Sequence, residues 1–224
     1  MFDSVDREVG DRIRQSKELL HLINTLLSQD EYKDSDILKI QKGYVFVSLY
    51  SSLEYCLTAS VSNFLELLKS SPRKPMHYKN YLLCALLDSN FNAIRDCGKK
   101  TLWDKRVEFI DTLLSENQVV IDASVFPSDG INISDKQIRD VWKIFHIAGD
   151  CFPEGVNQLL LREIKEHRNA IAHGREKAKD IGSRYTVETL QQKEAIVEKL
   201  CLHIINGFKS AYTANDFLSS QIAV

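Results

Sequence analysis

Helix breakers are scarce in this chain, with 9 Gly and 4 Pro among 224 residues. That argues against a turn-rich fold and for long uninterrupted elements, which at this composition means helices. An excess of positive charge is also missing. The formal net charge is -2 and the isoelectric point is near 6.3. A nucleic-acid binder of the globally basic kind is therefore excluded, and any RNA contact has to come from a local patch. No stretch reaches the roughly 18 charge-free apolar residues of a spanning helix. The first residues, Met1 to Glu8, are acidic and mixed. They lack the basic region and apolar core of a secretory leader. The expectation is a soluble, cytoplasmic chain that does not engage a membrane.

Cysteine is present without a pattern. Cys56, Cys84, Cys97, Cys151 and Cys201 make an odd set, and no pair has C-x-x-C spacing. Buried free thiols in a reducing compartment account for this best. No Cys/His cluster has ligand spacing, so no metal site and no cofactor are expected. Internal repeats, low-complexity segments, phosphate-binding Gly loops, Gly-x-Ser-x-Gly and His-Glu-x-x-His are all absent from the sequence.

What is present is ordinary for a globular protein: 44% hydrophobic and 27% charged residues. The chain reads as one all-α domain over residues 1–224, a helical bundle with an irregular insert at about 117–133 before its fifth helix. Helical periodicity predicts a first helix from about Val5 to Ser28, capped by Asp3 or Ser4, and a second that starts at Asp34-Ser35-Asp36 and continues to about Ser70. The middle of the second, Tyr44 to Leu57, is apolar on nearly all sides, as befits the centre of a bundle. Glu54 is its exception: a buried Glu needs a partner, and otherwise it faces solvent on one edge of the helix. Ser70 to Pro75 is a clear break. A third helix is expected over about His77–Asp96 and a fourth over Leu102–Glu116, with Trp103, Val107, Ile110 and Leu114 on one stripe. The insert holds a turn cluster, Phe126 to Gly130. Ser134 to Gln137 reads as a capping box for a fifth helix that runs to about Ile147 with Ile138, Val141, Trp142 and Phe145 inward. A motif helix covers about Val156–His173. A net basic loop follows from Gly174 to Arg184. The last helix runs from about Thr186 to Phe217 with Val197, Leu200, Ile204, Phe208 and Tyr212 inward, and a short frayed tail ends the chain.

The stretch around which this is organised is Glu166-His167-Arg168-Asn169-Ala170-Ile171-Ala172-His173-Gly174. At about 100° per residue, Leu160, Ile164, His167 and Ile171 share a core stripe. Arg162, Glu166, Asn169 and His173 share another, roughly opposite. Gly174 suits the left-handed position just past a helix end, which puts His173 on the last turn near solvent. From the residues alone this is also how an ordinary helix end looks: a His favoured by the dipole, with Arg and Asn solvated. His167, on the apolar stripe, reads as a satisfied core group.

Arg168-Asn169-x-x-x-His173-Gly174 resembles the signature of the HEPN superfamily, and in particular its stand-alone bacterial ribonucleases. The Asn after the Arg and the Ala-His-Gly ending both fit, and the helix order agrees over most of the chain. The resemblance implies an all-α fold, a homodimer with the motifs meeting across the two-fold, and a metal-independent endoribonuclease that serves as a toxin or a phage-defence effector, with a cognate antitoxin or defence-system partner. Arg168 and His173 would be its catalytic residues. It also implies that a polar residue of an early helix supports the motif Arg, and Glu54 is the candidate. Asn169 would orient the His or bind phosphate. Arg175 and Lys177, in the basic loop, would add charge for RNA. Non-catalytic superfamily members that bind RNA, a nucleotide or a protein, and an unrelated helical adaptor, are the competing readings.

Overall fold

The structure is a computed structural model that describes residues 1–126 and 133–219. Among these residues the regular elements are helical: α1 Asp3–Leu27, α2 Asp36–Ser70, a 3-10 turn Pro75–His77, α3 Asn80–Leu86, α4 Asp88–Asp96, α5 Leu102–Leu113, α6 Asp135–Ile144, α7 Gln158–Ala172, α8 Ala178–Gly182 and α9 Val187–Ala214. The only extended pairing among them is an isolated bridge between Tyr78 and Leu218. The chain is all-α.

α2 is the axis. Its apolar residues recur on nearly every side, and α1, α7, α8 and α9 all pack against it. Val45, Phe46, Leu49, Leu53, Cys56, Leu57, Val61 and Phe64 are all buried. Ser35 starts α2 by accepting the Leu38 N–H on its side chain. Tyr44, expected inside the apolar middle, is exposed. At the other end Phe64 gathers an aromatic cluster, with Phe145, Phe208, Tyr212 and Phe217 against it edge to face. The apolar stripe of α6, Ile138, Val141, Trp142 with Phe145 beyond it, is buried as its spacing predicts, and so is that of α9 through Val197, Leu200, Ile204 and Phe208.

Several sequence expectations are corrected. The helix expected over His77–Asp96 is broken twice. The Lys79 N–H donates to the Phe217 carbonyl and the Ser219 N–H to the His77 carbonyl. These bonds hold Tyr78 and Lys79 extended after the 3-10 turn, and Leu87 (φ -100°, ψ 16°) separates α3 from α4. The same bonds dock the tail that was expected to fray, burying Phe217; residues 220–224 lie outside the described residues. α1 begins after buried Phe2, and neither Asp3 nor Ser4 caps it. Ser134 turns its hydroxyl to the Gln137 side chain (2.8 Å) instead of capping the backbone of α6. That helix stops at Ile144 because His146 adopts a left-handed backbone, φ 53°. The turn expected over 126–130 falls, beyond Phe126, outside the described residues.

Two further observations bear on function. The basic loop 174–184 contains α8, laid directly on α2. A Cβ on Gly43 would collide with the Ala178 carbonyl, and one on Gly182 with the Lys39 carbonyl. Glycine at both points lets the two backbones touch. The stripe on α5 is the second. Trp103, Val107, Ile110 and Leu114 face solvent, whereas Phe109 and Leu113 on the other side pack against the body.

No described helix is long and apolar enough to cross a membrane. Cys56, Cys151 and Cys201 are buried thiols, while Cys84 is exposed and Cys97 partly so.

Candidate functional site

α7 starts with Asn157, whose side chain accepts the Leu159 N–H (2.8 Å). It is anchored by buried Leu160, Leu161, Ile164 and Ala170. Its C-terminal end closes in a Schellman turn. The Gly174 N–H donates to the Ile171 carbonyl (3.1 Å) and the Arg175 N–H to the Ala170 carbonyl (2.8 Å), with Gly174 at φ 67°. Any side chain at 174 would be strained there. The turn leaves His173 as the capping residue with its side chain exposed.

Arg168 lies one turn earlier and is held from several directions. Its guanidinium carbon sits 4.5 Å from the centroid of the Tyr50 ring. Its Nη1 donates to Asn169 Oδ1 (2.8 Å), and its Nη2 is 3.8 Å from Glu54 Oε2. Tyr50 and Glu54 are i,i+4 neighbours on α2, so one face of that helix presents an aromatic ring and a carboxylate to the same cation. Tyr50 is itself pinned, its hydroxyl accepting the Ile133 N–H (2.8 Å). Burial, and then the Glu54 carboxylate, push its phenol up to about 12, so it stays protonated at neutral pH.

The sequence left two readings of Glu54, a buried partner of Arg168 or a carboxylate facing solvent on one edge, and the structure lies between them. The Glu54 side chain is 40% exposed and that of Arg168 is 27% exposed. At 3.8 Å the pair is an ion pair without a direct hydrogen bond, and it is half-solvated. Asn169 is half-buried and its amide oxygen is engaged by Arg168. Arg175 is exposed, 3.7 Å from Glu166. Lys177 is exposed at the N-cap of α8. The loop is less cationic than its sequence suggests. Besides Arg175 with Glu166, Lys179 pairs with Asp36 (2.9 Å) and Arg184 with Glu176 (2.5 Å).

The other face of α7 carries a polar network that the sequence reading missed apart from His167. Lys193, almost fully buried on α9, donates to Glu163 Oε2 (2.6 Å). The Tyr185 hydroxyl donates to Glu163 Oε1 (2.6 Å). Having one hydrogen, that hydroxyl must accept from His167 Nε2 (2.6 Å). His167 is therefore the Nε2–H tautomer. Burial keeps it neutral by lowering its pKa. Burial alone would raise the Glu163 pKa, but hydrogen bonds from Lys193 and Tyr185 outweigh it and hold the carboxyl below its ordinary range. Phe46 packs edge to face against both the His167 and Tyr185 rings. One signal for this network was available: Lys193 falls between Leu190 and Val197 on the buried face of α9. Among the described residues, no three His, Cys, Asp or Glu side chains stand together as a metal ion would need.

The chain matches the HEPN_MAE_28990-like HEPN family over residues 5–217. It belongs to that family. Neither a curated protein nor a solved structure matches it. The family match extends over α1 to α9, so the helix end bearing Arg168 and His173 lies inside a HEPN module.

Proposed function

We propose that this HEPN module is a metal-independent endoribonuclease, a toxin or phage-defence effector, in which two copies meet across a two-fold axis and present Arg168 and His173 to one RNA phosphate. The observation that carries the reading is the end of α7: an exposed His173 on a glycine-closed turn, one turn from an Arg168 braced by Tyr50, Asn169 and Glu54.

The RNA 2′-hydroxyl supplies the nucleophile. One His173 takes its proton as the O2′–P bond forms. The other His173 gives a proton to O5′ as the P–O5′ bond breaks, leaving a 2′,3′-cyclic phosphate and a 5′-hydroxyl. Imidazole suits both transfers because its ordinary pKa is near 6.5. Arg168 neutralises the phosphoryl oxygens, and a planar guanidinium fixed on an aromatic face loses little freedom in doing so. One protomer offers one exposed His at the site, so base and acid together require the dimer. Leu159, 65% exposed on the same side of α7 as Glu166 and His173, offers apolar contact for that dimer.

One observation favours a second reading, a non-catalytic HEPN module that binds RNA, a nucleotide or a partner protein. Asn169 is committed to Arg168, and three of the four loop cations are paired with carboxylates. Incubating purified protein with RNA in excess EDTA separates the two. The nuclease reading expects fragments ending in 2′,3′-cyclic phosphate, no cleavage of DNA, and growth arrest on expression that His173→Ala relieves. Binding without cleavage favours the second reading. Cleavage that needs a metal, or that cuts DNA equally well, overturns the mechanism.

A further inference from the structure

α5 is amphipathic in an unusual sense, for it has two apolar stripes. Phe109 and Leu113 pack on the body. Trp103, Val107, Ile110 and Leu114 do not, and they are 71%, 56%, 47% and 72% exposed. Exposed apolar residues scattered singly would need no explanation, but four in one line do. Their spacing alternates four, three and four positions, the a/d alternation of a coiled-coil seam. On a wheel at about 100° per residue they fall within about 60° of one another. At its C-terminal end the seam meets exposed Met76 and Tyr81, which share an open cavity wall with Leu114.

The flanks of the seam are charged with opposite signs. Arg106 lies about 70° to one side, and Asp104 and Asp111 lie about 70–90° to the other. Arg106 is kept beside the seam by its guanidinium, 5.0 Å from the Trp103 ring centroid. These signs select a partner and an orientation. If two copies of α5 pair in parallel, the basic flank of each faces the acidic flank of the other, with Arg106 opposite Asp111 of the second copy. If they pair antiparallel, acidic flank meets acidic flank, which is repulsive.

We propose that α5 is a self-association surface: the Trp103-Val107-Ile110-Leu114 seam pairs in parallel with the same seam of a second copy, in register, through Arg106–Asp111 contacts. This contact is separate from the end of α7. A protomer that uses both surfaces has two isologous interfaces, so it builds assemblies larger than a dimer.

The test uses the full chain with Cys84→Ser and Cys97→Ser, to remove the accessible native thiols. In-register parallel pairing puts residue 110 against its own copy. The Ile110→Cys variant should therefore give a covalent dimer in high yield with a short thiol-specific cross-linker. Val107→Glu should lower the solution mass measured by light scattering, with helicity unchanged because the residue is exposed. Asp111→Arg should weaken association at least tenfold, and the swap Arg106→Asp with Asp111→Arg should restore it. His173→Ala should alter none of these readouts, which keeps the test independent of the nuclease reading. An Ile110→Cys variant that does not cross-link, or a mass unmoved by Val107→Glu, would mean that another protein, a lipid surface or nothing covers this face, and overturns the proposal. Failure of the charge swap to rescue would overturn the parallel register.

Discussion

The two faces of α7 handle polar residues in opposite ways. On the inner face His167, Tyr185, Glu163 and Lys193 form a closed chain in which each bond has a donor and an acceptor matched, and Phe46 seals two of its rings. On the outer face His173 is exposed, and Arg168 is braced by contacts that include a ring face, a neighbouring amide and a carboxylate at 3.8 Å. A network whose groups are turned to one another fixes a helix and offers less to a ligand. A braced, half-solvated cation beside an exposed imidazole is less use to stability and more to chemistry. The two histidines, six positions apart on one helix, therefore carry different expectations.

The strongest way to break this contrast is to remove the outer pair. His173→Ala should lower RNA cleavage by about 10²–10⁴-fold, the usual effect of losing a proton-transfer group, and Arg168→Ala by about 10²–10³-fold, the usual effect of losing one charge stabiliser of the transition state. The His173→Ala protein should keep a thermal melt and dimer mass near wild type, because that side chain is at an exposed helix end. An active His173→Ala protein would remove that residue from the mechanism. Next in size is the inner network. Glu163→Ala strands the Lys193 ammonium in the core and deprives the Tyr185 hydroxyl of its acceptor. The cost should be about 3 kcal/mol, the low end for stripping one partner from a buried pair, since Glu163 is partly exposed. A urea titration reads it as a lower midpoint, and cleavage per folded molecule should be unchanged below that midpoint.

Glu54→Ala should cost less, below about 1 kcal/mol, as for other half-solvated ion pairs. The expectation from sequence, about 3–5 kcal/mol, assumed that the substitution would leave a buried Arg168 unpaired. Tyr50→Leu should cost more than Glu54→Ala, since it removes the ring under Arg168 and the acceptor of the Ile133 N–H together. If the order of these two variants were reversed in the same titration, the carboxylate and not the ring would be the main support of Arg168.

Legibility in the sequence followed the kind of interaction involved. The long helices, the stripes of α6 and α9, and the glycine-closed end of α7 were readable because periodicity and capping are local properties. The α5 stripe was readable as a stripe, but spacing reports that a face is apolar and not what covers it. The break at Tyr78 and Lys79 depends on backbone pairing with residues 217–219, which no local pattern announces. α8 was missed because it packs through glycine contacts at Gly43 and Gly182 and so carries little apolar signature. Tyr50 was missed because an aromatic on a central helix looks like core. Once Glu54 was a candidate partner for Arg168, its i,i+4 neighbour was a candidate too.

The smallest effect expected is in the pH dependence of stability, and it again separates the two faces. His167 has its folded-state pKa lowered below the ordinary value of 6.5, first by burial. Below that value the unfolded chain binds a proton that the folded chain resists, so stability falls as pH drops through about 6. His146, also lowered by burial, adds to the same slope. Further down, Glu163 contributes in the same direction: its pKa is held below the ordinary 4.5, so its stabilisation is present above that value and lost as the pH falls through its folded value. Glu194, whose pKa is raised by burial, works against this, its cost growing as pH rises above 4.5. The net expectation is a loss of stability from pH 7 to pH 5 that His167→Gln reduces in slope, by roughly half if His167 and His146 contribute alike. Urea midpoints measured at half-unit pH steps make the comparison. Equal slopes for wild type and His167→Gln would mean that the inner network tolerates an imidazolium, and the division between a sealed face and an open one would then fail at its central residue.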